Sequence, residues 1–143
     1  MDYEQLMMQY YGAGIQACYR GPRLYDTEET KNLVIRVVSW YKKYRGILNS
    51  DMVHLRRADG RDWDGLLHVN PSLKEKGLMM LYNPTSEIIT RTIKVPLYYT
   101  GLSAVAKVRE KDGKAKSFKL NRDYTIDLTF TIPAEGYTWF VIE

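Results

Sequence analysis

The chain has 143 residues, of which 45% are hydrophobic and 27% charged, and its formal net charge is +4. This composition is typical of a globular domain and argues against intrinsic disorder. No apolar run approaches the roughly 20 residues that a membrane-spanning helix needs, so no membrane partner is predicted. The basic residues are scattered among acidic ones, and the densest basic stretch, 107–119, is typical of the solvent faces of a hairpin, so nucleic acid is not predicted as a partner either.

The first residues lack the basic start and the apolar core of a secretory signal. The localisation therefore stays open, since an exported parent protein would carry its signal elsewhere. The single cysteine, Cys18, lies in the apolar stretch 15–19, which favours a buried structural thiol over a catalytic one.

Helical spacing of apolar residues begins at Tyr3 and predicts a short amphipathic helix to Tyr10, with stop signals at Gly12 and Gly14. The stretch 15–19 is predicted to be a compact strand. Asp26, with Glu29 three residues later, forms a capping box that predicts a long helix over about 27–48.

The apolar residues of this long helix cover roughly half of its circumference, more than the ~100° stripe of a simple surface helix. We therefore expect the helix to need two partners. In isolation, the chain is expected to self-associate through this 27–48 helix. The contact would use the opposite edge of the apolar arc or the residues Leu33, Val37, Trp40 and Tyr44.

After residue 49 the apolar period changes from helical to alternating. The clearest strand is 124–132, where every second residue is apolar and the others are Thr or Asp, so one face is predicted to be buried and the other wet. Turn-forming pairs separate eight predicted strands: 52–57, 65–70, 77–82, 88–95, 104–110, 114–120, 124–132 and 137–142. We predict a mainly β fold, with a segment over 1–49 followed by an antiparallel β-sandwich domain of about eight strands over 50–143.

Three carboxylates in one turn, Asp59, Asp62 and Asp64, invite a metal or acid–base interpretation. The spacing does not match a calcium loop, because the twelfth residue from Asp59 is Asn70 rather than Glu. The alternative is a polar hairpin whose Arg residues pair with the Asp side chains. His54 and His68 lack a third metal ligand at suitable spacing, so they are predicted to be partly buried structural residues and no metal site is predicted.

No nucleophile motif, phosphate-binding loop or dinucleotide-binding loop is present, so neither catalytic residues nor a cofactor are predicted. If the substrate is a sugar, exposed aromatic side chains become candidates, since pyranose faces stack on Trp and Tyr. Core packing is the alternative for each of them. The candidates are Trp63, Tyr82, Tyr98 and Tyr99.

Four stretches resemble the C-terminal portion of glycoside hydrolases related to the α-galactosidase and other α-glycosidase barrel families: 41–48, 59–65, 76–84 and 132–142. The resemblance implies that 1–49 is a helix–strand–helix remnant of a β/α barrel, with the missing catalytic barrel as partner. It also implies that the catalytic aspartates lie on barrel strands outside this chain, so this chain alone is inactive.

In such a barrel, the loop after strand 15–19 would face the sugar pocket. The resemblance thus implies substrate contacts by Arg20, Arg23 and Tyr25, and anchoring of the loop to carbonyl groups is the alternative. The implied function is a noncatalytic C-terminal domain that supports the barrel and contacts carbohydrate. The alternative is a freestanding sandwich module that binds carbohydrate or protein.

Overall fold

The computed structural model describes residues 3–15 and 27–143, and over these residues the protein is mainly β, with two helices and eight strands. All eight predicted strands are present, with ends that differ by at most two residues from the prediction. The elements are α1 (Tyr3–Gly12), α2 (Glu28–Leu48), β1 (Asp51–Arg56), β2 (Asp64–Val69), β3 (Gly77–Tyr82), β4 (Ile89–Pro96), β5 (Val105–Glu110), β6 (Lys116–Lys119), β7 (Thr125–Ile132) and β8 (Tyr137–Ile142).

The strands form two antiparallel sheets of unequal size. The larger sheet has six strands in the order β1-β2-β3-β8-β5-β6, and β4 pairs with β7 in a separate two-stranded sheet. The last strand in chain order, β8, therefore lies inside the larger sheet, between β3 and β5.

The six-stranded sheet is covered on both faces. One face packs against β4 and β7 around a core that includes Met79 and Leu81, and the other packs against the two helices through residues such as Leu78 and Met80. All six residues of β3 are buried for this reason. A continuous apolar run is the pattern of a strand whose two faces are both covered.

The predicted alternation of β7 is confirmed. Leu128 and Phe130 are buried, while Asp127 and Thr129 are exposed. On the wet face, the hydroxyl of Thr129 forms a hydrogen bond with that of Thr92 on β4 at 2.7 Å.

The long helix is present, but its predicted cap is wrong. The N-cap is Thr27, whose side-chain oxygen accepts a hydrogen bond from the backbone N–H of Thr30 at 3.1 Å, and the helix begins at Glu28. Thr and Asp are both good N-cap residues, so adjacent candidates leave the start of a helix open by one position.

The wide apolar stripe of α2 has two partners within the chain. Val37 and Tyr44 are buried in the layer between helix and sheet, and Tyr41 packs on Tyr11 of α1, with ring centroids 5.0 Å apart. Leu33 and Trp40 are partly buried in the same layer. Self-association through α2 stays a prediction, and the buried Val37 and Tyr44 would not contribute to it.

Of the predicted strand 15–19, only Ile15 lies within the described residues, where it belongs to no helix or strand. Cys18 lies outside them. The barrel origin of the first 49 residues and the division at residue 49 stay predictions, although α2 ends at Leu48 and β1 begins at Asp51. Neither described helix combines the length and the apolar character needed to cross a membrane.

Candidate functional site

Three of the predicted substrate-contacting residues, Arg20, Arg23 and Tyr25, lie outside the described residues. Their contacts with a sugar stay predictions. The candidates that the structure describes fall into three places: the acidic turn before β2, the histidines, and the exposed tyrosines.

The acidic turn is held together by arginine. Two nitrogens of Arg56 donate to the two carboxylate oxygens of Asp59, at 3.2 and 3.0 Å. These hydrogen bonds, with a further one from the backbone N–H of Arg61, lower the pKa of Asp59 to about 2. At neutral pH, Asp59 is therefore ionised and its carboxylate is hydrogen-bonded to Arg56, as the polar-hairpin alternative expects.

Asp62 links the turn to the smaller sheet. Its carboxylate accepts a hydrogen bond from the backbone N–H of Trp63 at 2.8 Å and one from Arg91 of β4 at 3.2 Å. The first of these bonds is the main cause of its lowered pKa, and the guanidinium of Arg91 adds to it. Asp64 differs, because partial burial raises its pKa.

A groove of about 820 Å³ lies beside this turn, between α1, β1 and β2. Among the described residues that line it, Asp64 is the single carboxylate. Glycoside hydrolysis requires two carboxyl groups positioned across the scissile bond. The described lining of the groove therefore does not supply the pair of carboxyl groups that this chemistry needs.

Two of the aromatic candidates belong to the core. Trp63 is 7% exposed, and its ring packs edge-on against Phe130 at a centroid distance of 5.2 Å. Tyr82 is also buried, and its hydroxyl donates to the carbonyl oxygen of Met8 at 3.0 Å. Neither ring presents an open face to a sugar, and the core-packing alternative accounts for both positions.

The two histidines lie in different surroundings. The predicted partial burial is wrong for His54, which is exposed on β1. His68 is buried beneath the helices, with its Nε2 2.6 Å from the carbonyl oxygen of Gly12 at the end of α1. Burial lowers the pKa of His68, although the backbone carbonyl groups of Gly12 and Ser50 oppose the shift. A neutral His68 that donates to Gly12 ties β2 to α1. Within the described ranges, no group of three His, Cys, Asp or Glu residues could hold a metal ion.

This arrangement predicts a loss of stability in mild acid. The pKa of folded His68 lies below the ordinary value of 6.5, so the unfolded chain takes up the proton first as the pH falls. The stabilising effect of a neutral, hydrogen-bonded His68 is fully present above pH 6.5. It is lost as the pH falls through the lowered pKa of folded His68. The melting temperature of the protein should fall between pH 7 and pH 5, and much less so in His68→Gln.

The matched control is His54→Gln, which changes the other of the two histidines in the chain. Since His54 is exposed, this variant should keep the full acid dependence between pH 7 and pH 5. If the melting temperature did not depend on pH in His54→Gln and kept its full pH dependence in His68→Gln, the acid dependence would not come from His68.

The remaining candidates, Tyr98 and Tyr99, are on the surface. They lie in a short 3-10 turn, Tyr98–Thr100, after β4, and are 64% and 65% exposed. Sequence reasoning missed their neighbour Tyr124, which is 40% exposed and contacts Tyr98 from the turn before β7. Spacing along the chain could not have shown that contact. The position of Tyr124 directly after the turn-forming residues 121–123 did indicate exposure, because connecting segments run over the protein surface.

No protein-family model matches the chain, and no curated protein matches its sequence. Solved structures match it in shape. A protein assigned as an α-N-acetylgalactosaminidase, from Bacillus halodurans C-125, is similar over 97% of this chain and 30% of that chain, with a TM-score of 0.60 and 10% identity.

Two further matches are an α-amylase and AmyP. The α-amylase, from Geobacillus thermoleovorans and complexed with acarbose, matches 85% of this chain and 25% of that chain, with a TM-score of 0.53 and 14% identity. AmyP, in complex with maltose, matches 89% of this chain and 24% of that chain, with a TM-score of 0.50 and 7% identity.

The chain thus spans about a quarter to three tenths of the length of these three proteins. At such low identity the matches show the fold alone. They confirm the predicted resemblance at that level, because this chain has a fold found in glycoside hydrolases.

Proposed function

We propose that the chain is a noncatalytic C-terminal domain of a glycoside hydrolase, which supports the catalytic barrel of its parent and contacts carbohydrate. The observation that carries this proposal is the asymmetry of the match with the α-N-acetylgalactosaminidase. The likeness extends over 97% of this chain but only 30% of that one. A separate catalytic part in the parent protein would account for the difference.

The chemistry of the described residues supports a noncatalytic role. Asp59 and Asp62 are ionised partners of arginines, and Asp64 stands alone in its groove. Neither a general acid paired with a base nor a carboxylate nucleophile can be assembled from them. The catalytic pair would belong to the barrel, and we propose that the parent acts on α-glycosides, as its resemblance to the α-galactosidase families implies.

The helical layer supports a role in holding a barrel. Trp40 and Tyr44 of α2 pack on Trp139 of β8, which fixes the helix to the sheet. Along the less covered edge of α2, Ile35 is exposed, and Val34 and Val38 are half-buried. This edge is the surface that we assign to contact with the barrel.

A freestanding binding module is the second candidate. The observation that favours it is the burial of Val37 and Tyr44 within the chain, which leaves α2 less dependent on an outside partner. The two candidates differ in what the upstream gene encodes. A freestanding module requires no barrel to be encoded upstream, whereas the C-terminal domain of a glycoside hydrolase requires one.

The isolated chain should show no hydrolysis of p-nitrophenyl α-galactoside, α-N-acetylgalactosaminide or α-glucoside above the buffer rate, because the residues that the structure describes do not supply the required carboxyl pair. Release of p-nitrophenol measures this directly. Turnover that disappeared in Asp62→Ala or Asp64→Ala would show that the acidic turn is catalytic and would overturn the noncatalytic assignment.

The decisive test of the parent is the coding sequence upstream of Met1. A barrel-length reading frame that continues into this chain, and whose product hydrolyses α-glycosides, would support the domain. Deletion of 51–143 from that product should lower its melting temperature while leaving its catalytic carboxylates in place. Absence of such a frame would favour the freestanding module.

A further inference from the structure

Three tyrosines meet on the surface at one end of the smaller sheet. The rings of Tyr98 and Tyr99 lie edge to face, with centroids 5.2 Å apart at 87°, and those of Tyr98 and Tyr124 lie 5.5 Å apart at 75°. A single exposed Tyr needs no explanation, because much of any protein surface is apolar. Here Tyr98 contacts both of the other rings, so three exposed aromatic side chains are contiguous, and contiguous exposed apolar surface is a feature of binding sites.

The backbone beneath the patch is tightly held. Leu97 and Thr100, on either side of the exposed pair, are fully buried, and the Thr100 hydroxyl donates to the carbonyl oxygen of Leu97 at 2.6 Å. The Leu97 N–H donates to the carbonyl oxygen of Tyr124 at 2.9 Å, which joins the two segments that carry the rings. The rings are therefore presented from a fixed frame, so little conformational entropy is lost when a ligand binds.

Tyr124 adopts a backbone conformation that costs energy. Its φ of 61° lies in the left-handed region, which bulky side chains rarely adopt. The turn is closed by hydrogen bonds from Tyr124 N–H to the carbonyl oxygen of Asn121 at 3.0 Å and from Asn121 N–H to that of Thr125 at 2.8 Å. Within the described ranges, the other non-glycine residues with positive φ are polar: Lys111 and Glu135. Strained backbone conformations concentrate at functional sites, which makes the turn that carries Tyr124 a candidate.

The chemistry of the patch fits a sugar. Each Tyr combines a large, rigid apolar ring with a hydroxyl, and only two side-chain torsions are fixed on binding. The electron-rich ring face attracts the C–H groups on the face of a pyranose, and hydroxyl groups lie around the rim of both partners. The neighbouring charges are of both signs, since Asp123 stands beside Arg122 and interacts with Lys94. Charges of mixed sign do not favour an anionic ligand at the patch.

We propose that Tyr98, Tyr99 and Tyr124 form a binding site for neutral oligosaccharides, on which at least two consecutive pyranose rings lie. Carbohydrate contact is part of the proposed function, on which this inference rests, and the tyrosines give that contact a place on the described surface. The site would hold a glycan chain near the enzyme without taking part in its hydrolysis.

The test is titration of the full chain with maltoheptaose and, separately, raffinose, followed by calorimetry and by chemical shifts of the backbone amides. Saturable binding of either sugar is expected, with shifts confined to residues near 97–101 and 121–125. Tyr98→Ala and Tyr99→Ala should each weaken binding about tenfold, which corresponds to ~1.4 kcal/mol. Tyr98→Phe, which keeps the ring, should bind within about threefold of the unchanged protein.

Two further variants separate binding from folding. Tyr10→Ala removes an exposed Tyr on α1 and should leave binding unchanged. Tyr124→Gly should weaken binding about tenfold while its melting temperature stays the same or rises, because Gly adopts a positive φ without strain. A purely structural Tyr124 would instead lower the melting temperature on replacement.

The proposal is overturned if neither sugar binds saturably, or if the alanine variants of Tyr98 and Tyr99 bind as the unchanged protein does. It fails separately from the proposed function. A barrel found upstream without sugar binding here removes the site and keeps the domain assignment. Binding that depends on the tyrosines without a barrel upstream keeps the site and favours the freestanding module.

Discussion

Replacing Phe130 with alanine is expected to lower the free energy of unfolding by roughly 3–5 kcal/mol, the range for truncating a large core aromatic side chain. Phe130 is 2% exposed and packs against Trp63 in the core between the two sheets. Its removal would leave a cavity that neighbouring strands cannot fill without disturbing their pairing. Urea denaturation followed by circular dichroism measures the loss.

The control is its neighbour on the opposite face of β7. Thr129→Ala removes an exposed hydroxyl and its bond to Thr92, and should cost well under ~1 kcal/mol. If the two variants lost similar amounts of stability, the side-chain register of β7 would be wrong.

Replacing Trp139 with alanine should be about as damaging, at ~3–5 kcal/mol, for a different reason. Trp139 is 5% exposed, and its ring contacts Trp40 at 5.5 Å and Tyr44 at 5.2 Å, so it joins β8 to α2. Hydrogen exchange should show the difference. Amides of α2 should lose protection in Trp139→Ala before those of β4 and β7 do, and Phe130→Ala should give the opposite order.

Tyr10→Ala, on the exposed side of α1, serves as the control and should change stability by less than ~0.5 kcal/mol. Equal loss of protection in both layers for both core variants would mean that helices and small sheet are not separable units. The description of two separate cores, one on each face of the larger sheet, would then be wrong.

The strands were predictable because their signals are local. Alternation within 124–132 and turn pairs such as Asp112-Gly113 depend on neighbouring residues, and all eight strands lie within two residues of the prediction. The division into six and two strands was not predictable, because pairing of β3 with β8 joins residues about sixty apart along the chain. The apolar run of β3 does signal two covered faces, but it does not say what covers them.

The candidate site was predictable only in part, for a similar reason. Tyr98 and Tyr99 stand next to each other in the sequence, whereas Tyr124 reaches them through the bond from Leu97 to its carbonyl oxygen. Trp63 looked equally suited to a sugar, but its burial depends on Phe130 in a distant strand. The type of a side chain indicates what it can bind, and tertiary contacts decide whether it is accessible.

The position of β8 bears on how the protein is made. The β5–β6 hairpin joins the rest of the larger sheet through β8, so that sheet cannot be completed until residue 142 has left the ribosome. Until then the nascent chain carries β3 with one unpaired edge of apolar residues, a template for association with other chains. Such late, non-local closure slows folding and exposes the chain to aggregation. Expression at lower temperature, or with chaperones that shield nascent strands, should therefore raise the soluble yield.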